Sequence, residues 1–105
     1  MKEFDYEKQP TVTIVKEILQ DALANRVTDI HLDPINDGMI IKFRTDGELK
    51  DYTLVPENNK INIITRFKIL AGMNITNTFI PQTGSLKINH NDSSTNARVS
   101  TLPVI

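Results

Sequence analysis

Asp29, His31 and Asp33 alternate along the chain. Oxygen and imidazole donors at period two share one face of an extended strand, the simplest arrangement that could suggest a metal site. Neighbours on such a face stand roughly 6 to 7 Å apart, too far for three of them to close on one ion without donors from elsewhere. No metal is therefore expected, and the segment reads as a structural pairing of histidine and acid that seats the strand. Arg44, Arg66 and Arg98 offer a different chemistry. A guanidinium presents a fixed fork of donors that matches phosphate or carboxylate and keeps its charge near neutral pH. On residue type alone these could also be solvated arginines in weak ion pairs, with Asp46 or Asp51 open to Arg98 and to Lys68. His90 has no partner in sight. No serine, histidine and acid grouping and no paired carboxylates stand out, so no catalytic residue is assigned.

Composition narrows the setting for these groups. With 105 residues, 39% of them hydrophobic, the chain can build one modest core and no second domain. Twelve basic residues against thirteen acidic ones leave a net charge of -1, so no overall field draws the chain to nucleic acid or to an anionic membrane. Any phosphate contact must be local. The lack of cysteine removes disulfide, thiolate-zinc and thiol-nucleophile chemistry and suits a reducing compartment. No stretch approaches the ~20 apolar residues of a membrane span, and the N-terminus lacks the layout of a signal peptide. A cytoplasmic location is expected, which deprives the sequons at Asn74 and Asn91 of meaning. None of Gly38, Gly47, Gly72 and Gly84 begins the glycine, four residues, glycine, lysine pattern that cradles phosphates.

The elements that must position the arginines follow from periodicity. Residues 1–10 are polar, close with Pro10, and read as a flexible arm or linker. Val15, Ile18, Leu19, Ala22 and Leu23 place one apolar stripe on a helix over Thr11 to Asn25. Asp29 to Asp33 is a short strand that Pro34 is expected to end, and Asn36-Asp37-Gly38 supplies a turn. Met39 to Thr45 and Glu48 to Val55 form a hairpin about Asp46-Gly47. A two-residue loop sets Arg44 opposite Leu49, Phe43 opposite Lys50, Lys42 opposite Asp51 and Ile41 opposite Tyr52. Met39, Ile41, Phe43, Tyr52 and Leu54 then face the core, and Lys42, Arg44, Asp51 and Thr53 face out. A second helix is expected from Glu57 to Ala71 with Gly72 as its cap, and then an ordered loop to the turn at Pro81-Gln82-Thr83-Gly84. Ser85 to Asn89 and Ala97 to Leu102 read as strands joined by a long polar tip, His90 to Asn96. The fold class is α+β: a single domain over residues 11–105, with a small antiparallel sheet and two main helices.

Val27-Thr28-Asp29-Ile30-His31-Leu32-Asp33-Pro34 resembles a segment of the type II secretion and type IV pilus assembly ATPase family. The following segments resemble that family in the same order: Phe43 to Leu49 with its Arg44, Asp46 and Gly47, the helix from Ile64 to Ile75 with Arg66 and Lys68, the turn from Pro81 to Gly84, and Arg98 to Pro103. The resemblance implies a PAS-like sandwich that precedes a RecA-like ATPase domain in a homohexameric ring. ATP and magnesium would then belong to the full-length parent and no cofactor to this domain, which would not be an enzyme by itself. Arg44 and Arg66, with Arg98 and Lys68 as weaker candidates, would reach nucleotide phosphates and couple hydrolysis to domain motion. Asp29, His31, Asp33, Asp46 and Gly47 would be structural. The implied partners are its own RecA-like domain, neighbouring subunits and a membrane platform protein, at the cytoplasmic side of the inner membrane. Thr76-Asn77-Thr78-Phe79-Ile80 and Ser85 replace acidic and arginine residues usual in the family. The alternative is a free-standing PAS-like domain that binds a small ligand or acts as a sensor.

Overall fold

A computed structural model describes residues 1–104. The apolar stripe produces α1 (Thr11–Ala24), which buries Ile14, Val15, Ile18 and Ala22. Ile63, Ile64 and Phe67 do the same for α2 (Glu57–Leu70). Both helices follow an extended proline, Pro10 or Pro56, and both end in the same closing turn. In α1 the N–H of Val27 reaches the carbonyl of Ala22 (2.9 Å) and that of Arg26 reaches Leu23 (3.2 Å). In α2 Met73 reaches Lys68 (2.8 Å) and Gly72 reaches Ile69 (3.3 Å). This is the Schellman pattern, in which one residue turns left-handed to satisfy the last carbonyls.

Five strands form one sheet in the order β3-β2-β1-β5-β4, comprising β1 (Asp29–Ile35), β2 (Gly38–Thr45), β3 (Glu48–Pro56), β4 (Gln82–His90) and β5 (Ser93–Thr101). α2 packs over β2 and β3, α1 packs against β4, and the two helices touch each other. The core between the layers holds Ile30, Leu32, Met39, Ile41, Val55 and Val99 from the sheet, with Ile18 and Phe67 from the helices, all essentially inaccessible to water. Each such side chain stabilises the fold by about 1.5–3 kcal/mol relative to exposure. The α+β layout is the expected one, but the sheet is mixed, because β1 and β5 run parallel. The cause is the route. A hairpin forces antiparallel neighbours, whereas β5 reaches β1 only after α2 has carried the chain to the far edge.

The hairpin register holds from Arg44↔Leu49 through Lys42↔Asp51 and then shifts, so that Ile41 faces Thr53 instead of Tyr52. Tyr52 is the extra residue of a bulge, which inverts the inward and outward order beyond it. Thr53 and Val55 are therefore fully buried and Leu54 is 48% exposed, the reverse of the simple alternation. Pro34 does not end β1. It pairs with Met39, past Leu32↔Thr101 where β5 stops, so on that side no ladder partner needs its missing N–H. β4 begins at Gln82 and its hairpin closes at Asn91-Asp92, where a turn at Pro81–Gly84 and a long tip were expected. Position 84, inside β4, is held by glycine because a Cβ there would stand 2.4 Å from the carbonyl oxygen of Ala71.

Residues 1–10, read from sequence as an arm or linker, lie along β3. The Lys2 N–H donates to the Tyr52 carbonyl (2.7 Å), and the buried Thr53 hydroxyl finds its partners in the Lys2 carbonyl (2.8 Å) and the Tyr6 hydroxyl (2.9 Å). Phe4 packs against both Tyr6 and Tyr52, and the Tyr52 ring stacks on Phe43 at 4.0 Å. Burial, then the Tyr52 hydroxyl's bond to the Asp21 carboxylate, pushes that phenol well above its usual pKa.

Candidate functional site

The sheet face away from the helices collects the charged residues. β1 is central, and its register sets Asp29 opposite Arg44 on β2 and opposite Arg98 on β5. One carboxylate thus lies between two guanidiniums drawn from distant parts of the chain. Arg98 donates through Nε to Asp29 Oδ1 at 2.6 Å, the Thr28 hydroxyl donates to Oδ2 at 2.9 Å, and Arg44 Nε stands 3.8 Å from Oδ2. Asp29 is only 5% exposed. Its burial opposes ionisation, but the hydroxyl and the two guanidiniums outweigh that and hold its carboxyl below the ordinary value.

Asp29 is thereby committed as an acceptor and is not a free base. The Arg98 side chain remains 63% exposed, and because Asp29 takes its Nε edge, its terminal amino groups stay clear of that bond. Arg44 is steadied by its own turn. Asp46 and Gly47 both adopt positive φ, the two-residue geometry that a Gly at the second position eases. The loop so formed returns the Gly47 carbonyl to Arg44 Nη1 at 3.0 Å. The structural part of Arg44-Thr45-Asp46-Gly47 is thus a turn that orients its own arginine.

The expected histidine and acid pairing does not form. Asp29 belongs to Arg98 and Thr28, and Asp33 pairs with Lys42 at 3.2 Å. A lysine or arginine on the adjacent strand outcompetes an imidazole two residues along the same strand, whose distance is fixed by the pleat. Arg98 pairs with Asp29, not with Asp46 or Asp51, because β5 lies beside β1 and not beside β3. Lys68 meets no acid among the described residues either. It is buried, its Nζ donates to the Asn77 carbonyl at 3.4 Å, and desolvation holds its ammonium below the usual lysine pKa. Arg66 is set apart from Arg44 and Arg98, lining a groove with α1 and β4. Thr28 escaped the reading of the residues, although a hydroxyl directly before the acid was its available signal. Among the described residues, no helix is long and apolar enough to cross a membrane.

These features define a small α+β domain with one sheet face covered by helices and the other open and carrying paired arginines. Residues 5–105 match the family described as "Type II/IV secretion system protein", and the chain belongs to that family. It is 30% identical over 91 residues to the type IV pilus assembly ATPase PilB of Thermus thermophilus, covering 87% of this chain and 10% of that protein. It is 34% identical over 98 residues to a putative type II secretion system protein E of Escherichia coli, covering 91% of this chain and 20% of the relative. For the type II secretion system protein E of Xanthomonas campestris the identity is 31%, over 90% of this chain and 17% of the other. The chain thus corresponds to a domain-sized part of much longer relatives.

Proposed function

We propose that this chain is an accessory domain of a hexameric type II secretion or type IV pilus assembly ATPase, contributing to ring assembly and coupling ATP binding and hydrolysis to domain motion. The observation that carries this reading is the Arg44–Asp29–Arg98 row on the open sheet face, in a family whose members here include proteins named as ATPases. The sequence has no phosphate-binding loop, so ATP and magnesium would be held by a RecA-like domain elsewhere in the parent. This domain's residues fit a lesser role, in which the outward amino groups of Arg98 and the turn-held Arg44 meet the phosphates of a nucleotide seated on that neighbour. Arg66 faces a different direction and would serve a separate contact of the ring. The setting is cytoplasmic, against the inner membrane through a platform protein.

The test uses the parent ATPase that contains these residues. Arg44→Ala and Arg98→Ala each lower ATP turnover by about tenfold or more at a temperature where the domain stays folded, although Arg98→Ala also lowers its Tm by leaving the buried Asp29 carboxylate without that partner. Arg66→Ala, measured separately, lowers turnover without affecting the Asp29 row. Unchanged turnover in all three variants sinks the phosphate role. The isolated chain hydrolyses ATP no faster than buffer.

A further inference from the structure

A second feature lies on the helical side, outside the Asp29 row. Lys16 of α1, Arg66 of α2 and Lys87 of β4 rim an open groove of about 260 Å³, lined also by Val12, Leu19 and Leu70. Val12 is 54% exposed and Leu70 38%, so the apolar lining is accessible. Among the described residues none of the three cations has an acid within ion-pair distance, and the nearby acids of α1, Glu17 and Asp21, are both engaged by Lys2. Apolar side chains bounded by three unpaired positive charges are complementary to something apolar and anionic.

The choice of occupant follows from shape and charge. The groove is smaller than the ~300–1,000 Å³ usual for a small-molecule site and is open to solvent along one side, which suits a segment laid across it better than a ligand enclosed in it. A membrane surface is a poor fit, because the apolar lining is concave and the chain's net charge is -1. We propose that this groove receives an acidic amphipathic helix from a partner protein. Its apolar side chains, spaced three and four apart, rest on Val12, Leu19 and Leu70, and its flanking carboxylates meet Lys16, Arg66 and Lys87.

The probe is a synthetic amphipathic helix of leucine and glutamate, about 18 residues or ~27 Å long, titrated into the isotopically labelled chain and followed by backbone amide shifts. Saturable binding is expected, with shifts centred on residues 12–20, 66–70 and 87–89, weakening as salt is raised. Lys16→Glu combined with Lys87→Glu weakens it about tenfold, while Lys50→Glu, on the distant β3, has no effect. Arg66 is left intact so that its proposed contact in the ring does not enter. Absence of saturable binding overturns the proposal, as does equal binding of a leucine and lysine peptide of the same pattern, or shifts centred on the open sheet face. Vesicles containing phosphatidylglycerol are the remaining arm: binding through Lys16 and Lys87 to vesicles but not to the peptide assigns the groove to a membrane instead.

Discussion

β2 and β3 lie under α2, and β4 and β5 lie on the side covered by α1, so each half of the sheet is a hairpin with its own helix. Their outer edges are treated differently. On β3 the N-terminal arm supplies a backbone bond to Tyr52, two partners for the Thr53 hydroxyl, and the rings of Phe4 and Tyr6. No strand pairs on the outer side of β4 among the described residues, and the far end of its hairpin is built from Ser93, Ser94, Thr95 and Asn96. Within the sheet the halves meet along Asp29–Leu32 and Arg98–Thr101, the parallel seam, and the Asp29–Arg98 bond lies at one end of it. The arginine row therefore stands where a well-anchored half joins a lightly anchored one, which is where relative motion of the halves would be felt.

The sharpest probe of that difference is the core beneath each helix. Phe67→Ala, on the buried face of α2, should cost about 3–5 kcal/mol in urea unfolding. Ile88→Ala, in β4, should cost about 2–3 kcal/mol, because a cavity closer to an edge collapses more readily. An Ile88→Ala loss as large as that of Phe67→Ala, although a smaller side chain is removed, would mean that the β4 half yields no more readily than the other. A next step is Gly84→Ala, whose added methyl meets the Ala71 carbonyl where β4 passes the end of α2. A loss of about 1–3 kcal/mol is expected, and a neutral result would show that the β4 half yields freely.

The seam is tested through Asp29. Asp29→Asn should cost about 1–2 kcal/mol at neutral pH, since a charge-assisted bond is exchanged for a neutral one. The folded pKa of Asp29 is depressed, so its contribution is present above the unfolded value, about 3.9, and is lost as pH falls through the folded one. Wild type and variant should therefore converge in stability as pH falls below the folded value. A gap that persists there would assign the loss to packing and not to the ion pair.

The first half was the more legible in sequence, and for a physical reason. Asp46-Gly47 dictates both a turn type and a register, and Met39, Ile41 and Phe43 alternate cleanly. Legibility failed at Tyr52, where a bulge reverses the order of Thr53 and Leu54 with no turn residue to announce it. In the second half Ser93 to Asn96 continue a ladder although their side chains have no apolar alternation to announce it. The arginines were identifiable by type, but that Arg98 would share an acid with Arg44 depended on β5 lying beside β1, which only the crossover decides. The arm's docking depended on an orphaned Thr53 hydroxyl that exists only once the bulge has formed.

The smallest expected effect compares the two helix ends directly. Both close with the same pair of backbone bonds, but the left-handed position is Gly72 (φ 70°) in α2 and Arg26 (φ 55°) in α1. A side chain there crowds the following carbonyl at a cost of about 1–2 kcal/mol, whereas glycine avoids it. Arg26 is exposed. Arg26→Gly should therefore stabilise the chain, with part of the gain offset because glycine also loosens the unfolded chain. A net gain of roughly 0.5–1 kcal/mol, or about 2–5 °C in Tm, is expected by scanning calorimetry. Gly72→Ala should move Tm the opposite way by a similar amount. If neither variant shifts Tm, the two ends are held by their packing, Val27 under α1 and Met73 under α2, and the left-handed residue is incidental in both.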